Sequence, residues 1–470
     1  MNLNRISRFI LCFFVIIGML ALPTYANDEI AMDASVVSGC HSADAQVALL
    51  GADQIVTNAE SVFLYELNSE TLLHVWNADA SVEPSSLAKM MTAWIAIENA
   101  ELTDAVTVKQ SVLDSVPSGA ASSDLVEDEV ITLNDLLYCM MIDSGNDAAA
   151  VIADHVGGSQ EAFVTMMNEK AKELNCFGTN FVNAHGLYHE KQITTARDMG
   201  KILAAAMKNE TFAEIFAAVY YTVPATNKSE ERKLVSGNYL MCTDDQQIYF
   251  DERATGGRTG VQKNGTRSLA TVAEQSNMKL MCIVIGSAST YVGGGRISVF
   301  GGYKETTALL DTGFTGYYAT QILYEGQVLT QRPVVNGSGK VSLGCAKAVA
   351  TVLPEGVSIN QLSFRYVDVK GDLEAPVNKN DVLGGVEVWY GGLCIAYTEL
   401  YALNSVGVLE NFVIQRKYDP TQWWEIVLIV LLVAAALVGV FFLLRYRFVI
   451  RRNIRNWQRK RRWKNRRGGR

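Results

Sequence analysis

An uncharged stretch of nineteen residues near the C-terminus, Ile426 to Leu444, constrains this chain more than any other feature of its sequence. As an α-helix it would span about 28 Å, close to the hydrocarbon thickness of a bilayer. Trp423 and Trp424 stand at its leading edge, where indole rings favour the membrane interface. We therefore predict a transmembrane helix at 424–444, and the rest of the chain must fold as domains attached to it.

The basic segment that follows, residues 445–470, indicates the direction in which this helix crosses. It contains thirteen Lys and Arg residues and no Asp or Glu, whereas the whole chain has a net charge of −8. Positive charge beside a membrane span favours the cytoplasmic side, so we predict a cytoplasmic tail and an acidic body outside the cell membrane. An acidic domain does not bind nucleic acid by neutralising its phosphates. The positive charge of the tail is explained by the orientation of the membrane helix and by contact with anionic lipid. No nucleic-acid partner is expected.

The N-terminus has the pattern of an export signal. Two arginines precede an apolar run from Phe9 to Leu22, and the small residue Ala26 follows shortly after. A basic start, a short apolar core and a small residue at the end are typical of a secretory signal peptide. We predict a signal peptide at 1–26 and a polar spacer at 27–57. An uncleaved anchor is the alternative, although the run is short for a full span.

The cysteines are few and scattered. Eight are present, and Cys12 lies within the predicted signal peptide. Seven thiols outside the cytoplasm predict at least one that is free or bridged to another chain. The absence of any C-x-x-C pair argues against a structural zinc site.

The segment 58–320 mixes helical and strand patterns, which predicts an α/β (α+β) domain. The segment 321–415 is instead rich in short alternating apolar runs separated by Gly and Asn turns, which predicts a small all-β sandwich. In the first domain we predict a β-hairpin at 61–65 and 71–76, helices at 87–97, 133–141, 147–155, 161–174, 196–207 and 303–312, and strands at 268–272 and 279–286. In the second we predict strands at 331–335, 344–352, 362–369, 385–390 and 393–397.

The first motif with chemical meaning is a serine and a lysine three residues apart, Ser86 and Lys89, at the start of a predicted helix. Residues at this spacing share a helix face, so the hydroxyl and the amine can meet. A neutral lysine amine can take the proton of a serine hydroxyl, and the helix N-terminus favours an oxyanion beside the Ser86 N–H. Alone, the pair is better explained by an N-cap serine and a solvated lysine.

The second motif is Ser144-Gly145-Asn146, at the junction of two predicted helices. A second hydroxyl near Ser86 could relay a proton to a leaving amine. The Asn146 amide could hold a substrate carbonyl and Lys89 together. Considered alone, the segment is better explained as a helix cap with a turn.

The third motif is Arg258-Thr259-Gly260, in a glycine-rich run that leads into Val261. On a strand lining a cleft, it would offer a guanidinium and a hydroxyl to a carboxylate, and the Val261 N–H as a second oxyanion donor. The alternative is an ordinary turn before a strand.

The three motifs occur in this order, 58 and then 114 residues apart, and such a set is shared by penicillin-binding proteins and class A β-lactamases. With its flanking segments, the chain resembles the low-molecular-mass penicillin-binding proteins that act as serine D-alanyl-D-alanine carboxypeptidases, peptidase family S11. The resemblance extends from about residue 58 to 415 and includes the segments 84–92, 136–148, 181–187, 194–199, 303–311, 375–377 and 382–384.

The resemblance implies a penicillin-binding/β-lactamase-like transpeptidase fold for the first domain and a role for each motif. Ser86 would attack the carbonyl between two D-alanines at the end of a peptidoglycan stem peptide, with Lys89 as its base. Ser144 would pass a proton to the departing amine, and Asn146 would orient the substrate.

The third motif is assigned to substrate binding on the same grounds. Arg258 and Thr259 would bind the terminal carboxylate. Gly260 continues this segment, and the N–H groups of Ser86 and Val261 would form the oxyanion hole. β-Lactam antibiotics would act as inhibitors by acylating Ser86, and no metal or organic cofactor is implied.

The sequence departs from the family pattern at the third motif. Most members have Lys where this chain has Arg258, and Thr where it has Gln262. Arginine keeps the positive charge but is bulkier and does not shed a proton, so any role that needs a neutral amine there is lost. A membrane-tethered wall-binding protein with a decayed site is therefore one alternative.

Two further enzyme classes are less well supported. A β-lactamase commonly has an E-x-x-L-N segment that supplies a deacylating carboxylate, and no such segment occurs. A zinc protease could use His185 and His189, but the residues between them suit a loop and omit the Glu of H-E-x-x-H.

Overall fold

The structure, a computed structural model, describes residues 57–242, 247–292, 297–367, 369, 371–409 and 422–465. The predicted signal peptide at 1–26 and nearly all of the spacer at 27–57 lie outside these residues. The helices are α1 Ala88–Asn99, α2 Gln110–Leu113, α3 Leu133–Ile142, α4 Asn146–Gly157, α5 Gln160–Glu173, α6 Ala196–Ala206, α7 Glu210–Ala217, α8 Gly301–Gly316 and α9 Gln422–Asn465.

The strands form one central sheet, several small pairs and a second group towards the C-terminus. They are β1 Ser61–Glu66, β2 Thr71–Trp76, β3 Ala105–Thr107, β4 Val130–Thr132, β5 Tyr220–Val223, β6 Arg232–Val235, β7 Ala254–Val261, β8 Arg267–Gln275, β9 Met278–Ser287, β10 Ser289–Val292, β11 Ile297–Phe300, β12 Tyr317–Leu323, β13 Val328–Val335, β14 Lys340–Gly344, β15 Val349–Pro354, β16 Ser363–Val367, β17 Leu373–Glu374, β18 Val382–Tyr390 and β19 Leu393–Ala402.

The central sheet has five antiparallel strands in the order β2-β1-β9-β8-β7. Every residue of β1 is buried, because helices cover both faces of the sheet. Phe63 faces the cluster that contains α1 and α6, whereas Leu64 faces the cluster that contains α8. This alternation is expected for a strand between two apolar layers. The strand β7 is left at the edge of the sheet.

The helical layer is organised around α1, whose first nine residues are all buried. It packs against α4 and α6, and the alanine-rich sequence of α4 allows a close approach. In the described part of the chain, four helices begin at a side-chain cap that accepts a backbone N–H, which satisfies one of the donors a helix start leaves unpaired. These caps are Thr132, Ser159, Thr195 and Asn209.

The hairpin and the six helices predicted in the first domain are confirmed, with boundaries that differ by a few residues. The single strand predicted at 344–352 is wrong. The strand β14 ends at Gly344 and β15 begins at Val349. Between them, the Cys345 carbonyl accepts the N–H of Gly326 at 3.0 Å. The two strands pair with different partners, β14 with β19 and β15 with β12. The structure also contains α7 and the pairs β3–β4 and β5–β6, which were not predicted.

The described residues divide between two compact units. The first comprises residues up to 332, 341–372 and 378–405, and besides the central sheet it contains the antiparallel pairs β12–β15, β16–β18, β18–β19 and β14–β19. The second comprises 333–340, 373–377 and residues from 406 onward. In it, Val334 and Val335 at the end of β13 pair in parallel with β17.

The helix α9 also belongs to the second unit. Its segment Val427–Arg461 is long and apolar enough to cross a membrane, in agreement with the span predicted at 424–444. The helix continues through the basic segment to Asn465. Arg and Lys are good helix formers, and the segment contains no Gly or Pro before residue 468.

The cysteines of the first unit are mostly buried thiols. Cys139, Cys242, Cys282 and Cys345 are free, which confirms that at least one thiol is unbridged. Cys394 is disulfide-bonded.

Candidate active site

Ser86 lies in a short 3₁₀ turn, Ser85–Leu87, that leads directly into α1. Pro84 caps this turn, and its fixed φ suits a helix start. Ser85 has a φ of +46°, an unusual conformation for a residue with a side chain, which indicates a tightly determined backbone. Ser86 itself is only partly buried, so its hydroxyl remains reachable at the N-terminal end of the helix.

The Lys89 side chain is fully buried beneath Ser86. Its amine donates to Asn146 Oδ1 at 2.8 Å and to the His185 carbonyl at 2.6 Å, and it lies 3.3 Å from Ser86 Oγ. Burial, and secondly the positive charge of Arg258, hold its pKa well below the usual value, and Asp147 opposes this only in part. An amine with a lowered pKa beside a serine hydroxyl can accept its proton.

Ser144 and Asn146 occupy the turn between α3 and α4. Ser144 has a φ of +64°, and its hydroxyl lies 3.3 Å from that of Ser86. Asn146 donates through Nδ2 to the Ala121 carbonyl at 2.8 Å while its oxygen accepts from Lys89. Both ends of the amide are therefore engaged, which fixes its orientation.

The guanidinium of Arg258 reaches from β7 to both of these segments. It donates to Ser144 Oγ at 2.7 Å, to the Met141 carbonyl at 2.7 Å and to the Ser86 carbonyl at 3.4 Å. Only 4% of the residue is exposed, and burial lowers its pKa to about 10, with Asp143 opposing. It remains a cation at neutral pH. Because Arg258 donates to Ser144 Oγ, the Ser144 proton is free to point towards Ser86 or a substrate.

The rest of the third motif lines the open edge of the sheet. The Gln262 N–H donates inward to the Thr266 carbonyl at 2.9 Å. Successive N–H groups of a strand point to opposite sides, so the N–H groups of Val261 and Thr259 point outward from that edge. A Cβ at Gly260 would overlap Ser85 Oγ and lie 3.2 Å from the Ser86 nitrogen. Glycine here lets β7 lie directly against the serine turn.

The structure thus brings the three predicted segments together. Ser86, Lys89, Ser144, Asn146 and Arg258 form one connected hydrogen-bonded cluster. Thr259 is partly buried and Val261 is 54% exposed. These two and Gly260 lie on the strand that borders the cluster.

The loop at His185 and Gly186 also takes part, although the sequence suggested His185 only as a possible zinc ligand and not for this site. The His185 carbonyl is an acceptor for Lys89. Gly186 has a φ of +85°, and a Cβ there would overlap the Ser85 carbonyl oxygen. The segment 181–187 was recognised only as part of the family resemblance, because a backbone carbonyl leaves no mark in a sequence. The one residue in the loop that could have indicated this close approach from the sequence is Gly186.

The histidines of this loop are engaged in local turns. His185 Nδ1 accepts the Leu187 N–H at 3.1 Å, and His189 Nδ1 accepts the Lys191 N–H at 3.2 Å. Burial, and then the charge of Lys89, lower the pKa of His185 to about 4, so this ring is neutral at physiological pH. Among the described residues, no group of three or more His, Cys, Asp and Glu could hold a metal ion.

Comparison with known proteins shows that two segments of the chain each match a protein family. Residues 49–289 match the family described as D-alanyl-D-alanine carboxypeptidase (Peptidase S11). Residues 317–408 match the family described as Penicillin-binding protein 5, C-terminal domain.

Individual relatives extend over most of the chain. It is 29% identical over 405 residues to D-alanyl-D-alanine carboxypeptidase DacA of Escherichia coli K12, an alignment covering 83% of this chain and 93% of that protein. It is 28% identical over 384 residues to DacC of the same organism, covering 78% and 90%. The crystal structure of penicillin binding protein 5 from Haemophilus influenzae superposes with a TM-score of 0.64 at 26% identity, covering 76% of this chain and 100% of that one.

Proposed function

This chain belongs to the D-alanyl-D-alanine carboxypeptidase family, and on that premise we propose that Ser86 carries the reaction. The enzyme is a serine-type carboxypeptidase that removes the terminal D-alanine from peptidoglycan stem pentapeptides. It is also a penicillin-binding protein. The contact between the Lys89 amine and the Ser86 hydroxyl, together with the lowered Lys89 pKa, is the observation that carries the assignment.

In the acylation step, Ser86 Oγ attacks the carbonyl carbon between the two D-alanines, and the neutral Lys89 amine takes the hydroxyl proton. The negative charge that develops on the carbonyl oxygen is stabilised by the N–H groups of Ser86 and Val261. The proton reaches the leaving amine through Ser144, whose oxygen is already oriented by Arg258. Collapse of the intermediate breaks the amide bond and releases D-alanine, leaving an ester on Ser86.

In the deacylation step, water attacks the ester carbonyl and gives a proton to Lys89. The bond between the acyl carbon and Ser86 Oγ then breaks, Lys89 returns the proton to Ser86 Oγ, and the shortened peptide leaves with a free carboxyl group. Arg258 and Thr259 bind the terminal carboxylate before acylation. Asn146 orients the substrate amide while it holds Lys89 in place. A β-lactam mimics the D-alanyl-D-alanine end, so its opened ring stays on Ser86 as a slowly hydrolysed ester.

The test is covalent labelling of the full-length protein with a fluorescent penicillin, paired with release of D-alanine from a stem pentapeptide. We expect wild type to do both and Ser86→Ala to do neither. Ser363→Ala, an exposed serine on β16, is the matched control and should behave as wild type. Absence of labelling in folded wild type would refute the assignment. Rapid multiple-turnover hydrolysis of penicillin would point instead to a β-lactamase.

The architecture supports a second part of the proposal. We assign residues 58–320 to the catalytic domain, 321–415 to a β-sandwich domain, 424–444 to a membrane span and 445–470 to a cytoplasmic tail. The catalytic domain would then face the outside of the cell membrane. The apolar helix α9 and the charge of the segment after it are the supporting observations.

Cysteine accessibility tests this topology. With an impermeant maleimide on intact cells, Gln361→Cys in the β domain should be labelled above the wild-type background. Gly469→Cys in the tail should be labelled only after the membrane is permeabilised. Labelling of the tail in intact cells would reverse the orientation.

A further inference from the structure

Lys263 and Tyr188 meet at the rim of the active site. The Lys263 amine lies 4.0 Å from the centre of the Tyr188 ring. Lys263 follows β7 in the turn towards β8, and Tyr188 belongs to the loop that contains His185 and Gly186. Both side chains are exposed, Tyr188 to 52%. The catalytic steps described above use neither residue.

Both residues are tied to the segment that carries the nucleophile. The Lys263 N–H donates to Glu83 Oε2 at 3.1 Å, and Gln262 Nε2 donates to the Glu83 carbonyl at 3.1 Å. Glu83 stands three residues before Ser86. On the other side, Gly186, two residues before Tyr188, abuts the Ser85 carbonyl. The Lys263–Tyr188 contact therefore joins the two loops that flank Ser86.

The direction of the substrate follows from the proposed function, on which this inference rests. The terminal carboxylate lies at Arg258 and Thr259, and the scissile carbonyl lies at the Val261 N–H. The part of the peptide that precedes the scissile bond must then extend along β7 towards Lys263. Lys263 is two residues beyond Val261 in the turn that follows β7, so their Cα atoms are at most about 7 Å apart. The side chain of the residue before D-Ala-D-Ala can span that distance.

The Lys263 amine is available to a ligand. No carboxylate of the described residues lies within 4.0 Å of it. The nearby Glu83 carboxylate is engaged by the Lys263 backbone N–H and fixes the turn. The aromatic face of Tyr188 supports the ammonium without neutralising its charge. The rim therefore presents a positioned cation to the peptide.

We propose that Lys263, supported by Tyr188, is a specificity-determining residue that selects stem peptides by the charge of the residue before D-Ala-D-Ala. In bacterial stem peptides this residue is a diamino acid. Its side chain ends either in an ammonium alone, as in lysine, or also in a carboxylate, as in diaminopimelate. Lys263 attracts the carboxylate form and repels the ammonium form, so the enzyme favours peptides whose third residue carries a side-chain carboxylate.

Three acylated peptides X-D-Ala-D-Ala test this directly, with X side chains of equal length ending in carboxylate, acetamide or ammonium. The measurement is kcat/KM for D-alanine release by the full-length enzyme at low ionic strength. Exposed charge pairs are weak, so we expect wild type to prefer carboxylate over ammonium by about fivefold to tenfold. Lys263→Met should reduce the ratio to near unity, and Lys263→Glu should invert it. The acetamide peptide should be cleaved at similar rates by all three proteins.

Two further variants separate this role from general effects. Lys172→Met removes an exposed lysine of α5 and should retain the wild-type ratio. Tyr188→Leu removes the aromatic face beneath the Lys263 ammonium but keeps the positive charge of Lys263. It should therefore reduce the ratio of kcat/KM for the carboxylate peptide over the ammonium peptide by about half. A wild-type ratio near unity, or the same ratio in wild type, Lys263→Met and Lys263→Glu, would overturn the proposal.

Failure of the proposed function would look different. In that case no peptide would release D-alanine with wild type, and fluorescent penicillin would not label it. Labelling of each variant also verifies that it is folded. Cleavage of the acetamide peptide without charge selection would refute only the role of Lys263.

Discussion

Two buried polar clusters of the catalytic domain differ in whether their cations are paired with a carboxylate. In the reactive cluster, Lys89 and Arg258 are both buried, and no carboxylate of the described residues lies within ion-pair distance of either. In the structural cluster, Arg232 donates to the fully buried Glu129 carboxylate at 2.8 Å. Thr226 also donates to Glu129, at 2.9 Å.

The consequences for the pKa values are opposite. Burial and the charge of Arg258 lower the pKa of Lys89. Burial also opposes charge on Arg232, but the hydrogen bond and charge of Glu129 outweigh it and raise the Arg232 pKa. A counter-charge keeps a buried cation charged, whereas neutral acceptors leave a buried lysine able to lose its proton. This difference favours a structural role for the Glu129 cluster and supports the proposed reactive role of the Lys89 cluster.

The largest expected effect comes from removing the reactive amine. Lys89→Met should reduce acylation by fluorescent penicillin about a hundredfold to ten-thousandfold, because a general base contributes about 10²–10⁴ in rate. Stopped-flow labelling measures this rate. The variant should fold, as shown by its circular dichroism. Labelling within tenfold of wild type would mean that Lys89 is not the base.

The second effect is on stability. Glu129→Gln should lower the free energy of unfolding by about 3 kcal/mol, because it leaves a largely buried Arg232 without its counter-charge. Urea denaturation measures the change. Acylation by the folded variant should stay within about threefold of wild type. A larger loss of acylation with unchanged stability would show that this cluster serves the reaction.

The third effect is a shift in pH dependence. In the proposed mechanism Lys89 acts as a base only when its amine is neutral, so the acylation rate should fall as pH falls through the Lys89 pKa. Arg258 lowers that pKa, so Arg258→Met should move the acidic limb to higher pH, whereas Arg258→Lys retains the cation and should leave it nearly in place. Penicillin acylation rates across pH, compared among the three proteins, measure this. Coincident profiles for wild type and Arg258→Met would show that Arg258 does not tune Lys89.

The smallest effect is expected at an exposed pair. Lys109 lies 2.7 Å from Asp154 with 61% of its side chain exposed, and such pairs contribute about 0.2–1 kcal/mol. Lys109→Met should therefore change the free energy of unfolding by no more than about 0.5 kcal/mol and leave labelling unchanged. If Lys109→Met lowered the free energy of unfolding as much as Glu129→Gln does, burial could not explain the difference between the exposed and the buried ion pair.

Much of the fold could be predicted from local sequence patterns. The helix at 87–97 and the hairpin at 61–65 and 71–76 were recognised because apolar spacing and turn residues are local signals. The split between β14 and β15 was missed, since it depends on distant partner strands, β19 for β14 and β12 for β15. The helix α7 and the small strand pairs were not predicted either, because short elements contain too few residues to show a clear apolar periodicity.

The candidate site also contains some residues that local motifs predict and others that only tertiary contacts reveal. Ser86, Lys89, Ser144, Asn146 and Arg258 could be named from their motifs and order. The His185 carbonyl could not, because every residue has a backbone carbonyl and only the folded loop directs this one at Lys89. The contacts of Arg258 with Met141 and Ser144 were equally invisible, since they join segments 117 and 114 residues apart.

By itself, the sequence determined the chemical groups, their order along the chain, the local elements and the apolar helix with its basic flank. These properties depend on residue type and on neighbours a few positions away. The tertiary structure alone decided that Lys89 is buried among neutral acceptors while Arg232 is paired with a carboxylate. Proton affinity depends on the dielectric surroundings and on charges a few ångströms away, and in this protein those charges come from distant parts of the chain.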